Sequence, residues 1–266
     1  MRFNFTHVSF PALAAAGALL IGGGAAQAEV VYQENFTGGG TLNGSSPDTV
    51  SGNFGTSGAT WNADGSFGAD GTLDGDNDDA AAFLPFDPSG GFKYTLDVGF
   101  NAADGAPEWA QFGFDEDSTN GAGTGDNWND VGNTPSVILR DKNSPATDTD
   151  IIAWSDTANN NSIGSTDGST SGIDFGTALD YTLVFDATAG LDSVDLTASV
   201  AGNQFGSGTG FDFSDGRVDR LVLSKSTFQE GTFDNLTLEA VPTPGTLPVV
   251  LALVGGVTMI RRRRKA

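Results

Sequence analysis

The sequence predicts an all-β protein: one two-sheet antiparallel sandwich over residues 29–240, flanked by terminal segments of different character. Three observations predict it. Between Glu29 and Ala240 no stretch sustains a 3.6-residue apolar period, whereas many short runs alternate apolar and polar residues with period two. The connections between those runs are rich in Gly, Asn, Asp and Ser, the residues that form turns. There is no cysteine, so no disulfide framework stands in for a core, and residues 29–240 suffice for one domain with a sizeable core.

The runs are read in order. Val30, Val31 and Tyr32 lead into Phe36 as the opening strand. Residues 92–100 alternate cleanly, and 109–114, 137–140 and 151–154 are shorter strands. Residues 181–185 and 194–200 predict a hairpin across 187–192, and 218–223 and 233–238 close the domain. Ten or more short strands with polar loops are what a two-sheet sandwich requires.

The ends follow a different logic. Residues 1–28 carry Arg2, an apolar stretch over 11–21, a Gly22-Gly23-Gly24 break, and Ala26-Gln27-Ala28, the small-x-small pattern read by signal peptidase. A signal peptide cleaved before Glu29 is expected. At the other end, residues 247–260 form an apolar run shorter than the ~18–20 residues of a free-standing membrane span. Arg261, Arg262, Arg263, Arg264 and Lys265 follow at once; such a cluster stays on the cytoplasmic side and would halt export with the domain outside. Pro242, Pro244 and Pro248 keep the preceding chain extended.

The net charge of −22 understates the acidity of the domain. Its basic residues are Lys93, Arg140, Lys142, Arg217, Arg220 and Lys225, while all the acidic residues lie within it. Phosphate binding needs a basic face, so nucleic acid is disfavoured as a partner; divalent cations, high salt or solubility fit better.

Val241-Pro242-Thr243-Pro244-Gly245-Thr246-Leu247, the short apolar helix after it and the arginine-rich end together resemble the PEP-CTERM sorting signal of Gram-negative bacteria. Thr243 stands where that family usually has glutamate, so this is a variant form. The resemblance covers only residues 241–266. It implies transient anchoring in the inner membrane, recognition by an exosortase-type protease, cleavage near the proline motif, and release to the cell surface or an extracellular matrix. An ordinary C-terminal membrane anchor is the alternative, and it too places the domain outside the inner membrane. The middle of the chain resembles the concanavalin A-like lectin/glucanase jelly roll, including laminin-G-like modules. The resemblance is carried by residues 32–36 as opening strand, the hairpin over 181–200, and Gly231-Thr232-Phe233-Asp234-Asn235-Leu236-Thr237-Leu238 as closing strand. A galactose-binding-like carbohydrate module would read almost the same.

The lone histidine, His7, lies in the signal. Ser-His-Asp and Cys-His nucleophilic systems and His-ligated zinc are therefore excluded from the exported domain. Carboxylate chemistry remains, and glycoside hydrolysis needs two carboxylates across the bond. The catalytic jelly-roll glucanases carry Glu-x-Asp-x-x-Glu on one strand; Asp115-Glu116-Asp117 has the wrong spacing for it.

Calcium takes about six to eight hard oxygens. Asp74, Asp76 and Asp78 stand at alternate positions as in a calcium loop, although Asp79 replaces the turn glycine and Pro85 the final ligand of an EF-hand. A solvated acidic loop is the favoured reading of these residues, with the calcium loop as its alternative. Glu34 and Asp234 are a second candidate, since acidic groups on first and last strands share a structural calcium in many carbohydrate-binding sandwiches. Asp115, Asp117 and Asp126 are a third. For sugar, exposed aromatic platforms are needed: Trp128 between Asn127 and Asn129 is the first candidate, and Trp61 beside Asn62 and Asp64 the second. Trp109 and Trp154 lie in strand patterns and are expected in the core.

These readings combine into an exported surface or matrix protein with a non-catalytic, lectin-like sandwich that binds extracellular polysaccharide and is stabilised by calcium. The alternatives are a glycoside hydrolase or lyase on the same scaffold, or a purely structural matrix component.

Overall fold

The structure is a computed structural model. It describes residues 27–64, 67–72, 80–101, 109–116, 134–141, 149–156, 161–167, 178–225 and 231–243. Among the described residues, fourteen strands follow in chain order: β1 (Glu29–Glu34), β2 (Thr49–Val50), β3 (Asn62–Ala63), β4 (Ala80–Pro85), β5 (Phe92–Asn101), β6 (Trp109–Asp115), β7 (Ser136–Asp141), β8 (Thr149–Asp156), β9 (Asn161–Asp167), β10 (Ala178–Asp186), β11 (Val194–Val200), β12 (Asn203–Phe211), β13 (Arg220–Lys225) and β14 (Thr232–Pro242). They make two seven-stranded sheets, ordered β12-β11-β10-β5-β14-β1-β2 and β3-β4-β13-β6-β7-β8-β9. Every pairing is antiparallel. The all-β, two-sheet expectation therefore holds, and every predicted run falls in or overlaps a strand.

The expected hairpin is β10–β11, in register from Tyr181↔Val200 to Asp186↔Asp195. Alternation explains it: Tyr181, Leu183 and Phe185 point inward opposite Val194, Leu196, Ala198 and Val200, all buried. Strands β2, β3, β4, β9 and β12 were not anticipated. The alanines of β4 have weak strand preference, and β9 (NSIGSTD) and β12 (NQFGSGTGF) lack the β-branched and aromatic density that marks a strand. Their partners impose the conformation: β4 pairs with β13, β9 with β8, and β12 with β11.

Between the sheets lies one continuous core. Phe67, Phe100 and Phe36 surround Phe233 at centroid distances of 5.9, 4.9 and 6.4 Å. A second group joins Phe86, Tyr94, Phe114, Phe185 and Phe213 through contacts of 5.1 to 6.3 Å. Each such ring pair adds roughly 0.5–1.5 kcal/mol beyond its buried area. Tyr32 ties the two sheets by donating its hydroxyl to the Pro85 carbonyl at 2.7 Å.

At one side of the sandwich the edge strands β9 and β12 close on each other. A Cβ on Gly164 would lie 2.3 Å from the Phe205 carbonyl oxygen and 2.5 Å from Gly206 Cα. Only glycine permits that approach. At the C-terminal end, β14 continues two residues past the expected boundary at Ala240, pairing Val241 with Lys93 and Pro242 with Phe92. Thr243 then donates its N–H and its hydroxyl to the Gly91 carbonyl, each at 2.9 Å. Val241, Pro242 and Thr243, the first three residues of the proline motif, are thus joined to the sheet, half-buried rather than a free strip. Pro244, Gly245, Thr246, Leu247 and the run Arg261, Arg262, Arg263 and Arg264 lie outside the described residues, as does the signal segment to residue 26.

Candidate functional site

The glycine seam between β9 and β12 gives way to an open cleft where the glycines end. The cleft has a volume of 630 Å³. One wall is Ser155 of β8 with Asn161, Ser162 and Ile163 of β9; the other is Phe211, Asp212, Phe213 and Arg217, where β12 leaves its sheet. Phe211 and Ile163 are half-buried against the core, and Phe213 is buried beneath them.

The polar groups of the cleft are preset. Asp212 accepts from the Ser214 N–H at 2.9 Å and from its hydroxyl at 2.6 Å. Those bonds, the hydroxyl's first, hold the Asp212 carboxyl below the usual carboxylate range, so it stays an acceptor. Arg217 donates Nε to both oxygens of Asp215, at 3.0 and 2.9 Å, and its Nη2 lies 2.7 Å from Oδ2. Its guanidinium sits 5.7 Å from the Phe213 ring centroid. Arg217 in turn lowers the Asp215 pKa. Ser155 donates its hydroxyl to the Asn161 carbonyl at 3.1 Å, bracing the turn into β9. Hydroxyl, amide, carboxylate and an aromatic edge therefore face one space, the donor and acceptor set that fixes a polyhydroxy ligand.

Among the described residues, none of those singled out from sequence lines this cleft. Trp61 is a correction: it is 1% exposed, not a platform. Its backbone is clamped by Ser45 and Gly44, its ring packs 6.4 Å from Phe36, and its indole N–H donates to Glu34 Oε2 at 3.2 Å. The polar neighbours Asn62 and Asp64 suggested a loop, but they turn outward while the tryptophan turns in.

Glu34 and Asp234 do sit on neighbouring strands, since β1 pairs with β14. The carboxylates are nevertheless not brought together. Glu34 is opposite Leu236 and faces inward, where it accepts from the Phe36 N–H at 3.1 Å as well as from Trp61. Asp234 occupies the bulge between Phe233 and Asn235 and is exposed. Burial raises the Glu34 pKa, partly offset by the Phe36 and Trp61 bonds, with Asp48 adding to the rise. Among the described residues no group of three or more acidic side chains is placed to hold a metal. Asp74, Asp76 and Asp78, and likewise Asn127, Trp128 and Asn129, lie outside the described residues.

Asp115, assigned to the third acidic candidate, is instead buried in an ion pair. Arg220 Nε and Nη2 each lie 2.6 Å from Asp115 Oδ2, and Nη2 also donates to the Glu116 carbonyl at 3.0 Å. The guanidinium stacks 3.9 Å over Phe83. Asp117 and Asp126 lie outside the described residues. The pair belongs to a buried band on the face of the second sheet turned away from the inter-sheet core. Register there aligns Phe83, Val222, Gly113, Ser136 and Trp154 in one row, and Ala81, Ser224, Gln111, Ile138 and Ile152 in the next. Trp154 is therefore buried as expected, but outside the inter-sheet core. Gln111 donates to the Ser136 hydroxyl at 2.9 Å, while its Oε1 and the Ser224 hydroxyl have no partner among the described residues.

Lys225, 1% exposed, is an internal cation that the sequence reading left unassigned. Its ammonium donates to the Gly231 carbonyl at 2.5 Å and reaches the Gly71 carbonyl at 3.4 Å, fastening the 67–72 loop to the entry of β14. The signal was available: Arg220 and Lys225 bracket an otherwise apolar strand, and such charges are buried only with partners.

No family model and no curated protein matches this chain. Solved structures do. An endo-1,3-beta-glucanase from Streptomyces sioyaensis is 15% identical, with 81% of this chain and 97% of that one covered and a TM-score of 0.47. The carbohydrate recognition domain of Emp46p in its metal-free form is 11% identical over 70% of this chain and 87% of that one, TM-score 0.45. A lectin from Bauhinia forficata in complex with GalNAc is 11% identical over 70% and 93%, TM-score 0.44. A glucanase and non-enzymatic lectins stand side by side in this set, so it does not separate catalysis from binding.

Proposed function

We propose that this chain is an exported surface or matrix protein whose sandwich binds extracellular polysaccharide in the β8–β9/β12 cleft without cleaving it. The observation that carries the reading is the cleft itself: an open space of 630 Å³ with an aromatic edge, hydroxyls, an amide and a preset carboxylate. The C–H face of a sugar ring packs on Phe211 and Ile163, and Asn161, Ser162 and Asp212 take its hydroxyls. Binding rather than hydrolysis is supported because the described lining contributes a single carboxylate, Asp212, and its neighbour Asp215 is tied to Arg217. Hydrolysis of a glycosidic bond needs two carboxylates facing across it.

Export before Glu29 and exosortase-type sorting at residues 241–266 belong to the same proposal, on the strength of the terminal segments alone. The hydrogen bonds from Thr243 to the Gly91 carbonyl hold residues 241–243 against the sheet, which supports a cleavage position after Thr243. Calcium is retained only as a proposal for the Asp74, Asp76 and Asp78 loop.

The test has two arms. The chain is titrated with soluble oligosaccharides while the backbone amides are followed by NMR, and the same mixtures are analysed for new reducing ends. Shifts at Asn161, Ser162 and Phe211 without product support the reading. Product formation overturns the non-catalytic part, and shifts confined elsewhere overturn the site.

A further inference from the structure

We infer that the cleft selects an amine-bearing polysaccharide, one whose sugar residues carry free, protonated amino groups; this rests on the proposed reading of the cleft as a saccharide site. The charges decide it. Arg217 is engaged by Asp215 through three contacts of 2.7 to 3.0 Å, so its positive charge is already matched. Asp212 faces the same cleft, and among the described residues its hydrogen bonds come from Ser214 alone, which supplies neutral donors and no cation. Arg217 also acts on Asp212 through space, so Asp212 and Asp215 share one cation and this corner of the cleft keeps one net negative charge beside an aromatic edge.

A protonated amine on a sugar ring answers that charge with a short, charge-assisted hydrogen bond, roughly twice as strong as a neutral one. Meanwhile Phe211 and Ile163 cover the ring's C–H face. The field of the whole chain points the same way: a net charge of −22 draws a polycationic glycan in and repels a polyuronate. A neutral glycan gains the stacking and the hydroxyl contacts but not the charge pair.

The test compares three β-1,4-linked hexasaccharides that differ only at C2: the free amine, the N-acetyl amide and the hydroxyl, that is, glucosamine hexamer, N-acetylglucosamine hexamer and cellohexaose. Each is titrated into the purified chain by calorimetry at low and at physiological salt, with the NMR footprint as site readout. The expected result is an amine form bound roughly two- to fivefold more tightly than the other two, the scale of a solvent-exposed ion pair. At physiological salt, where the diffuse field is screened, that ratio collapses to about one in Asp212→Asn, and in Phe211→Ala all three weaken by roughly tenfold. Equal affinities for the three, with shifts at Asn161, Ser162 and Phe211, overturn the amine selection while leaving the saccharide site standing. A preference that survives Asp212→Asn belongs to the diffuse acidic surface and likewise overturns it. Shifts at none of the cleft amides overturn both readings.

Discussion

Replacing Arg220 with methionine tests the energetic centre of the second sheet. Arg220 lies 2.6 Å from Asp115 through both Nε and Nη2, bonds the Glu116 carbonyl at 3.0 Å, and covers Phe83 at 3.9 Å. Its side chain and that of Asp115 are 9% and 1% exposed. Methionine keeps much of the aliphatic stem and its contact with Phe83, so the cavity term is small. What is lost is the counter-charge, and Asp115 is left charged in a site that water does not reach. Breaking a buried pair from one side costs about 3–5 kcal/mol. For a domain of this size each kcal/mol moves Tm by about 2–4 °C, so a fall of roughly 6–20 °C is expected in a thermal melt. Asp115→Leu alone removes the carboxylate from the buried guanidinium and costs a similar amount. The double variant Asp115→Leu/Arg220→Met removes both charges together and loses clearly less than the sum, since replacing a whole buried pair by apolar groups is close to neutral. The coupling read from this cycle is at least ~1.5 kcal/mol. A shift below about 2 °C in Arg220→Met, or strictly additive losses in the double variant, would refute the assignment of the pair as a desolvated, mutually dependent unit.

Three further outcomes are expected. The Glu34 carboxyl titrates above its ordinary 4.5 because it is buried, so the native state holds that proton more tightly than the unfolded chain. Its stabilising contribution is full below 4.5 and is lost as pH rises through the raised value. Urea unfolding of wild type and Glu34→Gln across that window will show their stability difference falling with rising pH; a constant difference would remove the burial argument. Lys225→Met takes the ammonium from the Gly231 carbonyl and from the Gly71 carbonyl, which keeps only the Phe233 N–H, and costs about 2 kcal/mol or more, with hydrogen exchange accelerating first in the 67–72 loop. Uniform acceleration across both sheets would argue against a local fastening role. Gly164→Ala places a Cβ 2.3 Å from the Phe205 carbonyl and must push β9 off β12, costing about 1–3 kcal/mol. Unchanged stability would mean that the seam is not closed in solution.

Much of the sheet framework was legible because alternation of large apolar residues is a local signal. Residues 92–100 and the 181–200 hairpin announce their buried faces in the pattern itself, and Tyr94, Leu96 and Val98 are indeed buried in one line. Alternation cannot report a strand whose inward residues are small. Thus β4, β9 and β12 appear only when a neighbour supplies the ladder, and the cleft lies on two of these unreadable elements and their connections. Trp61 misled for a related reason: polar neighbours describe the chain around a residue, whereas burial depends on what packs over it. Glu34 and Asp234 show the same limit at finer scale. Adjacency of the first and last strands could be anticipated, but the bulge at Phe233/Asn235 that turns Asp234 outward could not.

By itself, the sequence determined an all-β acidic domain without histidine or cysteine, and with it the exclusion of the nucleophilic and zinc chemistries that need those residues. Its two terminal segments carry the expectation of export and sorting. Only the tertiary structure decided that Asp115 belongs to Arg220, that Lys225 is an internal cation, that Trp61 is core, and that Phe211, Asp212 and Asn161 face one space. Periodicity is set within a few residues of chain, while a charge partner or a cleft is set by residues 50 or 105 positions apart meeting across a sheet or a seam, as Asn161 meets Phe211 and Asp115 meets Arg220.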